Sequence, residues 1–148
     1  MTTIACNRRE MAADAWVSWD DEAGYPTVKL YRCRRSVFGL RGDNWANVFA
    51  AWASGGFKPS RQPVIHNFEA ADFDVLELAP DGIFHWDKHL VRIPVAAECY
   101  AVGTGAKVAL YAMRVLDLAP AQAVAEACRI DDYSRPPITV MPLKGRLR

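Results

Sequence analysis

The order in which short strands and helices follow one another restricts this chain to few folds. Apolar residues at period-two and period-3.6 spacing predict two hairpins in a row, a helix, a third hairpin, two more helices and a closing strand. The predicted strands cover residues 2–8, 10–19, 27–33, 36–40, 73–78, 83–86, 91–95 and 138–141, and the predicted helices cover 43–54, 109–116 and 120–131. Antiparallel strands with helices gathered in blocks favour the α+β class over a doubly wound α/β fold.

Two breaks in the pattern separate these elements. Residues 20–26 are polar and contain Gly and Pro, which predicts a loop. The segment 57–69 contains Pro59 and Pro63 and has no clear period, so it is also predicted to be a loop. Only one helix is therefore expected between the second hairpin and the third.

Composition and charge limit the class of protein. The 148 residues fit a single domain over 1–148, and 51% of them are hydrophobic, which is enough to bury a core. The formal net charge of +1 gives no reason to expect a polyanionic partner, so no nucleic acid is expected. No apolar run approaches the roughly 18 residues of a membrane span, and no secretory signal pattern is present. The four cysteines are scattered and form no C-x-x-C pair, which predicts free thiols in a reducing cytoplasm.

The start of the chain carries a candidate nucleophile. Thr2 follows Met1, and methionine before a small residue is routinely removed. A threonine that becomes N-terminal carries its own base, because its free α-amino group has a pKa near 8 and lies beside the hydroxyl. Met-Thr is also a common start, so this pair alone does not predict catalysis.

Further motifs follow Thr2 in a particular order and spacing. They are Thr2-Thr3-Ile4, Ala12-Ala13-Asp14, Val28-Lys29, Gly39-Leu40-Arg41-Gly42, Ala101-Val102-Gly103-Thr104-Gly105 and Arg129-Ile130-Asp131-Asp132-Tyr133-Ser134. Together they resemble the proteasome β-subunits, the heat-shock-locus-V-type bacterial peptidases and the bacterial proteasome homologue, which are N-terminal-nucleophile hydrolases. The resemblance extends from Thr2 to about Ser134.

The resemblance implies a catalytic role for four of these residues. Thr2 would be the nucleophile, and its amino group would accept the hydroxyl proton. Lys29 would lower the pKa of the hydroxyl, and Asp14 would keep Lys29 charged and oriented. Gly42 would donate its backbone N–H to the oxyanion. The structural alternatives are a solvated strand lysine, a turn aspartate and a plain turn glycine.

Four more residues receive implied roles. Asp131 and Ser134 would contact the N-terminal amino group, and Thr104 stands where the family usually has a serine. Helix capping is the competing interpretation of these three residues, and Asp132 replaces Asp131 if the register differs by one. Arg41 would lie at the floor of the substrate side-chain pocket and favour acidic side chains, unless it points to solvent.

The resemblance also implies an architecture and an activity. The fold would be the four-layer αββα sandwich of the N-terminal-nucleophile hydrolases, here with a shortened second helix. The activity would be threonine-type hydrolysis of unfolded polypeptides or peptides, without cofactor or metal, inside a homo-oligomeric ring that an ATP-dependent unfoldase could serve. The competing function is a catalytically silent ring subunit. His85, Asp87 and His89 alternate as metal ligands could, but exposed hairpin residues are much commoner, so no metal is expected.

Overall fold

Two antiparallel sheets form the centre of the fold in this computed structural model, which describes residues 2–17, 24–42 and 45–144. The strands are β1 (Thr3–Asn7), β2 (Glu10–Asp14), β3 (Trp16–Val17), β4 (Tyr25–Pro26), β5 (Leu30–Cys33), β6 (Ser36–Gly42), β7 (Phe73–Ala79), β8 (Gly82–Trp86), β9 (Arg92–Val95), β10 (Cys99–Gly103) and β11 (Ile138–Pro142). One sheet has the order β10-β1-β2-β11 and the other β5-β6-β7-β8-β9, while β3 and β4 pair with each other. The α+β class predicted from the element order is confirmed.

Three α-helices accompany the sheets. They are α1 (Trp45–Ser54), α2 (Ala106–Arg114) and α3 (Pro120–Ile130). Pro120 opens α3 because its fixed φ and missing N–H suit the first turn. Residues 57–72 contain two 3-10 turns, Pro59–Arg61 and Phe68–Ala70, and no second long helix. None of the helices in the described part of the chain is both long and apolar enough to cross a bilayer.

Alternation along β1 and β2 directs side chains to two different cores. Ile4 and Met11 join the cluster between the two sheets, where they meet residues of β6 and β7. Ala5 and Ala12 point the opposite way and pack with α2 and α3. Successive strand side chains face opposite sides of a sheet, and alanine on the outer face lets the helices approach closely. A third cluster packs α1 on the five-stranded sheet around Phe49.

The structure corrects several predicted boundaries. The strand predicted over 10–19 ends at Asp14 and is followed by the short β3, and the strand predicted over 27–33 begins only at Leu30. Tyr25 and Pro26, predicted to be loop, form the short β4. The second predicted helix ends at Arg114, because the chain turns through Asp117 at a φ of 54°. Residues 20–23 and the predicted helix caps Asp43 and Asn44 lie outside the described residues.

The sequence pattern missed one complete strand. No element is predicted between residues 95 and 109, but β10 occupies Cys99–Gly103 at the edge of the four-stranded sheet. It pairs with β1 from Thr3↔Gly103 to Asn7↔Cys99. This strand is stabilised by a distant partner and not by a local signal, since Ala-Val-Gly-Thr-Gly has little strand periodicity.

Close approach of the two sheets depends on Gly39 in β6. A Cβ at this position would lie 2.6 Å from Cγ2 of Ile4 and 2.9 Å from Sδ of Met11. We therefore expect Gly39→Ala to lower the free energy of unfolding by about 1–3 kcal/mol, because the overpacked core must shift. Urea denaturation measures this change.

Gly55→Ala is the matched control. Its added methyl would lie 3.4 Å from the Trp52 carbonyl oxygen, which is an ordinary van der Waals contact, so stability should change by less than about 0.5 kcal/mol. Equal denaturation midpoints for the two variants would contradict the close sheet packing.

Candidate active site

Thr2, Asp14 and Lys29 form one hydrogen-bonded group. The Thr2 hydroxyl donates to Oδ1 of Asp14 at 2.8 Å, and Nζ of Lys29 donates to the same carboxylate oxygen at 2.8 Å. Nζ of Lys29 also makes a short hydrogen bond to Oγ1 of Thr2. The three residues predicted as nucleophile, cation and orienting carboxylate are therefore in direct mutual contact.

Three separate pieces of backbone bring this group together. Thr2 immediately precedes β1, Asp14 ends β2, and Lys29 immediately precedes β5 in the opposite sheet. The Lys29 carbonyl accepts a hydrogen bond from the Leu40 N–H at 2.9 Å, and Nζ donates to the Trp16 carbonyl at 2.5 Å. Lys29 is thus held at both its backbone and its ammonium group.

Asp14 is fully buried and is supported by backbone donors. Its carboxylate accepts hydrogen bonds from the N–H groups of Thr3 at 2.9 Å, Trp16 at 3.3 Å and Arg135 at 3.2 Å. These donors give both carboxylate oxygens hydrogen-bond partners at a position that the protein shields from solvent. Sequence reasoning identified Asp14 but not these backbone donors.

Burial also affects the proton of Lys29. The residue is only 4% exposed, and this desolvation lowers the pKa of its ammonium group, while the neighbouring Asp14 carboxylate acts in the opposite direction. A lysine with a lowered pKa gives up its proton more readily than a surface lysine.

A second hydrogen-bonded group lies beside the first. Oδ2 of Asp131 accepts hydrogen bonds from Ser134 at 2.5 Å and from Thr104 at 2.6 Å. Ser134 is also hydrogen-bonded to the hydroxyl of Thr3 at 2.7 Å, and Thr104 donates to the Thr2 carbonyl at 3.4 Å. Asp131, Ser134 and Thr104 thus lie together at the start of β1, and their contact with the N-terminal amino group stays a prediction. Thr3, which sequence reasoning did not single out, links this group to Asp14 through its backbone N–H.

Two glycines leave room for the start of β1. A Cβ on Gly103, which has a φ of 100°, would overlap the Thr2 carbonyl oxygen. A Cβ on Gly105 would overlap the Thr3 hydroxyl. The Gly-Thr-Gly sequence is therefore required by close packing against Thr2 and Thr3, with Thr104 between them as a hydrogen-bond donor.

Thr2 also lines a cavity of about 610 Å³. The charged residues on its walls are Arg41, Asp72, Asp74 and His85. Arg41, predicted to lie in the side-chain pocket, is part of this cavity. Its Nε donates to Asp74 at 2.8 Å and its Nη2 to Asp72 at 3.1 Å. Since the guanidinium is already paired with two carboxylates, it is not a free anion-binding group, and the predicted preference for acidic side chains gains no support.

Gly42 ends β6 directly after Arg41. It is exposed, has a φ of 115°, and pairs with Phe73 of β7. It is not among the residues that line the cavity with Thr2. The oxyanion role of Gly42 stays a prediction, because its φ explains the glycine on backbone grounds alone.

The residues considered as metal ligands do not converge. Nε2 of His85 is hydrogen-bonded to Asp74 at 2.9 Å, whereas His89 packs against the Phe68 ring. Within the described residues there is no group of three or more His, Cys, Asp or Glu side chains that could hold a metal ion. All four cysteines are unpaired.

Comparison with known proteins gives a result at the level of structure. No protein-family model and no curated protein matches the sequence. The chain is similar to Thiobacillus denitrificans BPH in complex with epoxomicin, with 21% identity, a TM-score of 0.70 and coverage of 97% of this chain and 100% of that one. A second structure of Thiobacillus denitrificans BPH gives 23% identity, a TM-score of 0.66 and coverage of 95% and 98%. Eukaryotic HslV from Trypanosoma brucei gives 17% identity, a TM-score of 0.68 and coverage of 97% and 99%.

These matches define the class of fold. The chain has the fold of HslV and BPH over nearly its whole length. The resemblance to proteasome-type peptidases predicted from the sequence motifs is confirmed at the level of the fold.

The buried pair gives a testable consequence for stability. Lys29→Met removes the cation and leaves the Asp14 carboxylate buried, so we expect the free energy of unfolding to fall by about 3 kcal/mol. The double variant Asp14→Asn/Lys29→Met should lose clearly less than the sum of the two single variants, because no uncompensated charge remains. Urea denaturation at pH 7 measures the free energy of unfolding of Asp14→Asn, Lys29→Met and the double variant.

Lys107→Met, which changes an exposed lysine of α2, serves as the control and should be nearly neutral. Strict additivity of the Asp14 and Lys29 substitutions would show that the two charges do not interact.

Proposed function

We propose that this protein is a threonine-type peptidase whose nucleophile is Thr2, exposed by removal of Met1. The observation that carries the proposal is the contact of the Thr2 hydroxyl with both Asp14 and Lys29 beside a cavity that Thr2 itself lines. A nucleophile, a charged partner and an orienting carboxylate are what hydroxyl-based acyl transfer requires.

The reaction follows from this geometry. The free α-amino group of Thr2 takes the hydroxyl proton while Oγ1 attacks the carbonyl carbon of the peptide bond. Lys29 stabilises the developing charge on Oγ1, and Asp14 holds Lys29 in position. The C–N bond then breaks, and the leaving amine receives the proton from the α-amino group. Water then attacks the resulting threonyl ester and gives a proton to the α-amino group of Thr2. The bond between the acyl carbon and Oγ1 breaks, Oγ1 takes that proton back, and the carboxylic acid is released.

The second hydrogen-bonded group would serve the base. Asp131, Ser134 and Thr104 surround the start of β1, where the α-amino group would appear after Met1 is removed. A carboxylate near that amine favours its orientation, and the hydroxyl groups supply hydrogen bonds to it. Gly42 is the proposed backbone donor to the oxyanion, and neither metal nor organic cofactor takes part.

Similar folds support the class of activity. The Thiobacillus denitrificans protein was solved in complex with epoxomicin, and peptide epoxyketones react with the hydroxyl and amine of an N-terminal threonine. The three hydrophobic clusters, with α2 and α3 on one sheet and α1 on the other, support the four-layer αββα arrangement of N-terminal-nucleophile hydrolases. We assign residues 1–148 to one such domain.

A homo-oligomeric ring in the cytoplasm completes the proposal. The strands β9 and β11 are sheet edges and carry exposed apolar residues, including Ile93 and Val140. Open edges with apolar side chains favour contact with another chain. A ring would restrict access to unfolded polypeptides, for which an ATP-dependent unfoldase is the candidate supplier.

One observation favours a second candidate function. Thr2 is only 3% exposed in the chain that begins with Met1, so a retained methionine would leave a blocked amine and a covered hydroxyl. In that case the protein would be a catalytically silent ring subunit with a role in assembly or binding.

Intact mass spectrometry with epoxomicin distinguishes the two functions. We expect the purified protein to lack Met1 and to gain the mass of one inhibitor molecule. Thr2→Ala should gain none, and Lys29→Met should react at least about 100-fold more slowly, because Oγ1 loses its electrostatic partner.

Ser60→Ala, which removes an exposed hydroxyl from a 3-10 turn, should react like the unmodified protein. A retained Met1, or a free Thr2 that never reacts, would replace the peptidase assignment with the silent subunit.

A further inference from the structure

The cavity beside Thr2 is lined by charged groups that form one connected network. Arg41 of β6 lies directly opposite Asp74 of β7 and is bonded to it. The other oxygen of Asp74, Oδ1, is bonded to Nε2 of His85 on β8 at 2.9 Å. The network therefore runs across three neighbouring strands, and each side chain is about three-quarters buried.

The protonation of His85 decides the charge of this network. Arg41 is positive and the two carboxylates of Asp72 and Asp74 are negative, so these described cavity residues sum to about zero with a protonated His85 and to about −1 with a neutral one. A side chain that enters the cavity next to Thr2 would meet this field at short range, where partial burial limits screening by salt.

The carboxylate beside His85 stabilises its protonated form. The hydrogen bond to Asp74 raises the pKa of His85 above its ordinary value, against the opposing effect of partial burial. For Asp74, burial favours the neutral form, but the hydrogen bond from His85 and the charge of Arg41 outweigh it and lower the pKa. Asp74 thus stays ionised while His85 loses its proton as the pH rises through its raised pKa.

The surroundings of His85 contain few other charges. Asp74 and Arg41 face it from β7 and β6, and Asp87 follows directly after β8. From β10, the Tyr100 ring contacts the imidazole edge to face at 6.4 Å. These groups fix the ring beside the cavity.

We propose that His85, through Asp74, makes the cavity beside Thr2 a binding pocket for cationic side chains, so that Lys or Arg is preferred before the cleaved bond once His85 is neutral. This inference rests on the proposed peptidase function and names its substrate class. It opposes the preference for acidic side chains predicted from Arg41 alone, because the guanidinium is paired with Asp72 and Asp74.

A ratio of rates isolates the effect. Peptides that differ only in the residue before a fluorogenic leaving group, Arg, Leu or Glu, are assayed from pH 6 to pH 9, and the kcat/KM for Arg is divided by that for Leu. Titration of the Thr2 amine affects both substrates equally and cancels in the ratio. We expect the ratio to rise roughly fivefold with pH, because one positive charge leaves a partly screened pocket. Glu should be the poorest substrate at every pH.

Two substitutions test the assignment to His85. His85→Gln keeps a hydrogen-bonding side chain without a titrating charge, so the ratio should no longer vary with pH. His66→Gln removes an exposed histidine outside the cavity and should leave the rise in the ratio intact. An Arg/Leu ratio that does not change with pH in the unmodified protein would overturn the proposal, and so would a ratio that still rises in His85→Gln. A kcat/KM for the Glu peptide above that for the Arg peptide would also overturn it.

Binding separates this proposal from the proposed function. The Thr2→Ala variant cannot form the ester, and fluorescence anisotropy gives its Kd for labelled Arg and Leu peptides at the same pH values. If the Kd ratio of Thr2→Ala depends on pH while the unmodified protein cleaves no peptide and forms no epoxomicin adduct, the peptidase function is refuted and the pocket is supported. A flat Kd ratio would refute the pocket even if peptides are cleaved.

Discussion

The buried ion pair between Asp14 and Lys29 is the interaction on which the candidate site depends. Taking two charges out of water costs several kcal/mol each, and mutual attraction offsets this only with good geometry and further hydrogen bonds. Here the pair is 2.8 Å apart, and its remaining hydrogen-bonding capacity is met by three backbone N–H groups and the Trp16 carbonyl. An arrangement this demanding contributes little net stability by itself. Its effect is to hold an ammonium group against the Thr2 hydroxyl.

That requirement accounts for much of the surrounding architecture. Asp14 ends a strand of one sheet, Thr2 immediately precedes another strand of that sheet, and Lys29 immediately precedes β5 of the other sheet. The two sheets must therefore approach closely for the three residues to meet. The approach is permitted where Gly39 faces Ile4 and Met11 without a side chain of its own. Gly103, in the neighbouring strand β10, lets this strand pass close to the Thr2 carbonyl, and Gly105, at the start of α2, leaves room for the Thr3 hydroxyl. Glycine therefore occurs at positions where a neighbouring side chain or carbonyl group leaves no room for a Cβ.

Local sequence signals predicted the elements that need no distant partner. The hairpin formed by β1 and β2, the start of α3 at Pro120 and the loop after α1 all follow from alternation, proline and glycine. The strand β10 was missed, because its stability comes from pairing with β1 and its own residues show no clear period. The family resemblance, which depends on the order of the motifs, predicted Thr2, Asp14 and Lys29 as site residues. The structure brings these three residues into contact. Thr3 was not singled out, since its hydrogen bond to Ser134 joins residues 131 positions apart, and no local pattern indicates such a contact.

Contacts between residues distant in sequence also determine the charge of the cavity beside Thr2. Arg41 and Asp74 are 33 residues apart in sequence, so the sequence alone could present Arg41 as a free cation when the fold pairs it. The Lys29 ammonium is buried, and burial lowers its pKa. The His85 imidazole is only partly buried, and the Asp74 carboxylate raises its pKa. The ordinary pKa values of lysine and histidine are about four units apart. The pKa of Lys29 is lowered and that of His85 is raised, so the two pKa values move towards each other. Because Lys29 contacts the Thr2 hydroxyl and His85 belongs to the cavity network, the proposed proton transfer at Thr2 and the proposed charge of the side-chain pocket can be altered independently by substitution.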